Sequence, residues 1–80
     1  MPKPLTRIFA QRVREAALAK GYSINRLADF AGLSRGFVSE MLREQKVPSL
    51  DTVERIAAAL DVEPWRLLRD ERPPGTKTGG

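Results

Sequence analysis

Arg35, Gly36, Ser39, Glu40 and Arg43 are the residues whose types and spacing could do chemistry. At 100° per residue they span roughly 140° of one helix face, too polar for a core and suited to contact. Arg35 stands first, where a guanidinium can donate two hydrogen bonds to guanine O6 and N7. Glu40 can accept from amino donors such as cytosine N4 but is repelled by phosphates, so toward a nucleic acid it would act more by excluding wrong bases than by adding affinity. As an ordinary helix charge it would pair with Arg43 or Arg35 instead. Gly36 costs about 1 kcal/mol of helix stability relative to alanine, and lets a backbone approach a ligand closely. Catalysis has no comparable support. The chain has no histidine and no cysteine, and its acids are scattered along helix surfaces, so no nucleophile and base pair and no metal cluster is expected. No enzyme activity, metal or cofactor follows from these residues.

The elements that must position this face lie between Ser23 and Arg43. Ser23 supplies a side-chain acceptor for the open amides of a short helix from about Ile24 to Ala31, on which Leu27, Ala28 and Ala31 share a face. Gly32 ends that helix, because glycine reaches left-handed backbone angles without a side-chain clash. Leu33 plugs the corner, and Ser34 caps the next helix, from about Arg35 to Arg43, on which Val38 and Met41 face inward with Leu42 at the stripe's edge. Phe37 flanks the exposed face and is expected to pack on the first helix pair or a sugar edge.

Counted from Ile24, alanine falls fifth (Ala28), glycine ninth (Gly32), a β-branched residue fifteenth (Val38) and a large apolar residue eighteenth (Met41). This pattern resembles the DNA-binding helix-turn-helix of the phage-repressor and Cro family, also called the xenobiotic-response-element family. The stretch ProSerLeuAspThrValGluArgIleAlaAlaAlaLeu at 48–60 is a second point of resemblance, which covers about Phe9 to Leu68. It implies an all-α, five-helix, lambda-repressor-like domain with the helix-turn-helix at helices 2 and 3. The third helix would lie in the major groove, with its N-terminal half at base edges.

The chain departs from that pattern at Ile24, where many relatives carry a glutamine that reaches a phosphate. Backbone contacts would then rest on amides at the helix start, on Ser23 or Asn25, and on Arg26. Ser34 and Lys46 add to this set. The start of the fourth helix, which touches the DNA backbone in relatives, adds Val47, Ser49 or Thr52. Relatives commonly place glycine where Glu44 stands, so the third helix is expected to run on by a residue or two.

Composition bounds the rest. A single domain of 80 residues buries only about 60% of its unfolded surface, which favours a helical bundle. The absence of cysteine, of a long apolar run and of a signal-peptide core leads to an expectation of a soluble, cytoplasmic protein. The net charge is +4, with nine basic and four acidic residues in 1–48 against three and five in 49–70. The basic half is the part that would face a polyanion.

Residues 1–4 are expected to be a loose arm. In the first helix, from Leu5 or Thr6 to Lys20, Leu5, Phe9, Val13 and Ala16 line one face while Leu18 projects away. Pro48 and Ser49 open the fourth helix, with Leu50, Val53, Ile56, Ala57 and Leu60 inward. Pro64 opens a fifth, where Val62 and Trp65 are expected to close the core. Residues 71–80 read as a disordered tail, which makes 5–70 the domain.

The resemblance implies a homodimer on double-stranded DNA, with Trp65, Leu67 and Leu68 near the two-fold axis. The expected function is that of a sequence-specific transcriptional regulator, a repressor or controller protein on a two-half-site operator, with no small-molecule effector evident. The alternative is a protein-interaction module of the same fold, such as the antitoxin of a toxin–antitoxin pair. Leu18, Ile24 and Leu42 would then be its contacts.

Overall fold

Phe9, Val13, Leu27, Val38, Met41, Ile56 and Leu60 are each under 2% exposed and form the centre around which the helices pack. The structure, a computed structural model, describes residues 5–69; the expected arm at 1–4 and tail at 71–80 lie outside the described residues. The elements run α1 (Leu5–Lys20), α2 (Ile24–Ala31), α3 (Arg35–Leu42), α4 (Leu50–Leu60) and a 3₁₀ helix (Pro64–Leu68). The fold is all-α as expected, but the fifth helix is a five-residue 3₁₀ segment rather than an α-helix.

Each boundary has a local cause. Gly21 at φ 74° ends α1, and the Tyr22 amide donates back to the Ala17 carbonyl at 2.9 Å. Ser23, Ser34 and Ser49 cap α2, α3 and α4, their Oγ atoms accepting from the amides of Arg26, Phe37 and Thr52 at 3.1 Å each. Such caps contribute about 1 kcal/mol apiece. Gly32, at φ 71°, turns the chain between α2 and α3, and the Leu33 amide returns to Ala28 O at 2.9 Å. A Cβ built on Gly32 would meet only the movable end of the Arg55 side chain, Nη1 at 3.3 Å, so it is the left-handed conformation that favours glycine there.

Five expectations need correction. The inward face of α1 comprises Ile8, Phe9, Ala10, Val13 and Ala17, while Leu5 is 60% exposed and Ala16 only partly buried. The helix packs against α3, α4 and the 3₁₀ helix together, which widens its buried face beyond one stripe. On α4, Leu50 is 79% exposed, because it is the first helical residue and projects before the packed turns begin; Thr52 and Val53 open the buried face. Helix α3 does not run on: it stops at Leu42, and Glu44 takes a left-handed φ of 65° although it is not glycine. Leu42, placed at the stripe's edge and offered above as a partner contact, is buried.

The fifth correction inverts the chain's end. Trp65 is 50% exposed and Leu67 only 2%, so Leu67 and not Trp65 closes the core. At three residues per turn, Trp65 and Leu68 fall on one face of a 3₁₀ helix and Leu67 on another, which here turns toward α1 and α4. The Arg66 and Arg69 guanidiniums lie 5.3 and 5.4 Å from the Trp65 ring centroid and cover part of it. Val62 packs at the core margin as expected.

Candidate nucleic-acid interface

Packing α3 by Val38, Met41 and Leu42 turns its polar face outward. Arg35, Gly36 and Arg43 are exposed on that face and Ser39 and Glu40 half-buried, so the five residues form one continuous surface. Phe37, half-buried, packs against the core at its flank. Next to α3, the start of α2 exposes Asn25 and Arg26 beside Ile24, itself 41% exposed. Among the described residues, Arg26, Arg35 and Arg43 have no acidic partner, and their guanidiniums remain available to a polyanion. Such a surface can donate bidentate hydrogen bonds to base edges from α3 and neutralise phosphates from its borders.

The hydroxyl-bearing candidates divide. Ser23 and Ser34 are exposed, and although each Oγ accepts a helix-start amide, its hydroxyl proton can still be donated outward. Ser49 Oγ donates to Thr52 Oγ1 at 3.0 Å while accepting from the Thr52 amide. Thr52 is only 7% exposed, so the structure removes it from the phosphate set: its hydroxyl completes the α4 cap from inside. Lys46 is exposed in the turn after α3, and its Nζ lies 4.0 Å from Glu40 Oε1. Glu40 therefore pairs with Lys46, rather than with Arg35 or Arg43 as its helical spacing suggested.

Two arginines that local spacing did not mark hold the end of α3 in place. Arg14 Nη2 donates to the Leu42 carbonyl at 2.8 Å, satisfying one of the open carbonyls at that terminus. Arg7 Nε donates to Glu44 Oε1 at 3.3 Å. Both reach across 28 and 37 residues of sequence, a separation at which residue pattern carries no signal. Among the described residues no group of His, Cys, Asp and Glu side chains could hold a metal ion, and no helix is long and apolar enough to cross a membrane.

A family model described as helix-turn-helix matches residues 13–64, from within α1 to the first residue of the 3₁₀ helix. The HTH-type transcriptional regulator SinR of Bacillus subtilis is 36% identical over 66 residues, which is 81% of this chain and 59% of SinR. The chain thus spans about three-fifths of that relative's length. SinR's N-terminal DNA-binding domain, solved separately, is similar in structure at a TM-score of 0.77 and 31% identity, covering 84% of this chain and 99% of that one. Control protein C.BamHI of Bacillus amyloliquefaciens is 39% identical over 62 residues, 76% of each chain. The crystal structure of the restriction-modification controller protein C.AhdI from Aeromonas hydrophila matches at a TM-score of 0.74 and 42% identity, over 78% of this chain and 94% of that one. These matches extend beyond the α2–α3 motif to the helices that support it, and the chain belongs to the phage-repressor, or xenobiotic-response-element, family of helix-turn-helix transcriptional regulators.

Proposed function

We propose that this chain binds double-stranded DNA sequence-specifically, as a homodimer on an operator of two half-sites, and acts as a repressor or controller of transcription. The observation that carries this reading is the outward face of α3, where Arg35 and Arg43 stand exposed and without acidic partners among the described residues, bordered by Arg26 and Lys46. Arg35, Gly36, Ser39, Glu40 and Arg43 read bases in the major groove; Ser23, Asn25, Arg26, Ser34 and Lys46 hold the phosphate backbone, while the Ser49 hydroxyl stays committed to Thr52. The relatives' own descriptions, as control or controller proteins and as a DNA-binding domain, support the same role.

A single small domain contacts too few bases for useful selectivity, and two copies on half-sites about one helical turn apart supply it. Leu67 cannot form the two-fold contact, because it is spent in the core. Trp65 remains exposed on the outer face of the 3₁₀ helix, and Leu68 lies half-buried at the core margin. Leu68 joins Leu5, Val47, Pro48 and Leu50 around an apolar depression of about 160 Å³, in which Leu5, Val47 and Leu50 are 60%, 79% and 79% exposed. A second copy is the occupant we assign to this surface. Its closeness to the end of α3 along the chain lets a two-fold axis hold both reading helices on one side of the dimer.

A protein-interaction role has one observation in its favour. Leu18, 81% exposed, and Ile24 line a separate shallow depression of about 280 Å³ with Tyr22, Leu27 and Leu42. Selection of bound duplexes from a random pool decides between the readings. Enrichment of a symmetric sequence supports the operator-binding dimer, and a pool that returns without enrichment rejects it.

A further inference from the structure

The Glu40–Lys46 pair joins a base-reading position to a phosphate-clamping one. Glu40 Oε1 lies 4.0 Å from Lys46 Nζ, and the side chains keep 43% and 54% exposure. The neighbouring acid, Glu44, is already held by Arg7, and Arg35 and Arg43 have no acidic partner among the described residues. Each member of the pair has an alternative partner on DNA. The Glu40 carboxylate, on the outward face of α3, can accept from the amino groups of cytosine or adenine displayed in the major groove. The Lys46 ammonium can meet a phosphate.

We propose that Glu40 makes the Lys46 phosphate contact conditional on the base that faces Glu40. This rests on the DNA-binding reading and deepens it. Where a cytosine or adenine amino group lies within reach, the carboxylate exchanges the lysine for that donor, and the ammonium turns to the backbone. Where guanine or thymine acceptors face it, the carboxylate gains nothing from the groove and is repelled by phosphate, so it keeps the lysine and the clamp stays neutralised. The pair is suited to such an exchange because it is exposed: ion pairs of this kind shift an equilibrium by a factor of only about two to five, which a base contact can overcome. Glu40 is thus a specificity-determining residue that acts through a second residue as well as on the base.

The test uses the best duplex from the random-pool selection and a scrambled duplex of equal length. Affinity is measured against salt for the wild type, Glu40→Gln, Lys46→Ala and the double variant, with circular dichroism confirming helix content. The wild-type log–log slope should be steeper on the best site than on the scrambled one by about 0.9 per subunit, the counterions released by one further phosphate contact. Glu40→Gln should steepen the scrambled-duplex slope and raise that affinity about two- to fivefold. Lys46→Ala should flatten the best-site slope, and Glu40→Gln should then leave both slopes unmoved. An effect of Glu40→Gln on slope that is equal with and without Lys46 overturns the coupling, and so do equal wild-type slopes on the two duplexes. Salt-independent binding by the wild type would overturn the DNA reading itself, and the wild type alone reveals it.

Discussion

Arg7 on α1 holds the carboxylate of Glu44, 3.3 Å from Nε, at the point where the backbone leaves α3 with a left-handed φ of 65°. Both side chains are more than a third exposed, so the pair itself contributes little after solvent screening. The backbone angle is the larger effect. Replacing Glu44 by glycine relieves it but loosens the unfolded chain and loses the pair, so Glu44→Gly should change stability by less than about 1 kcal/mol. Glu44→Val puts a β-branched residue in the same conformation and should destabilise by about 1–2 kcal/mol. Urea unfolding midpoints check both.

Arg35→Ala should cost about 1–3 kcal/mol on the preferred site and relax selection at one base pair per half-site. Arg35→Lys keeps the charge but loses the planar fork, so its salt slope should match the wild type while its base preference weakens. Titration against the preferred duplex and single-base variants measures both. An Arg35→Ala protein with unchanged preference would mean that the reading face lies elsewhere.

Binding to duplex DNA should weaken steeply with salt. If a dimer contacts six phosphates, the log–log slope is on the order of −5, since each contact releases about 0.9 of a counterion. Fluorescence anisotropy between low and physiological salt gives the slope, and a flat response argues for the protein-interaction reading.

The reversal of Trp65 and Leu67 separates core from interface. Leu67→Ala should lose about 2–5 kcal/mol of stability, the range for truncating a buried leucine. Trp65→Asp and Val47→Asp remove exposed side chains; each should stay folded yet sediment as a monomer and lose operator affinity. A folded dimer in both aspartate variants would place the two-fold contact elsewhere.

Much of this protein is decided locally, and local features are legible in the sequence. Ser23, Ser34 and Ser49 act within three residues of themselves, and Gly32 carries its left-handed turn in its own lack of a Cβ; α2 accordingly runs over Ile24–Ala31 as its caps dictate. The polar face of α3 follows from spacing alone, because Val38 and Met41 can be buried only by turning Arg35, Ser39 and Arg43 outward. Tertiary structure decided the rest. Whether Trp65 or Leu67 faces inward depends on the three-residue turn of a short helix that exists only against α1 and α4. Leu50 is left outside and Thr52 taken inside by where the packed face of α4 begins. Arg14 on the Leu42 carbonyl, Arg7 on Glu44 and Lys46 on Glu40 arise because helix packing and the turn after α3 bring those groups together. Helical periodicity specifies which face a residue occupies, but not which side chain from elsewhere in the chain will meet it.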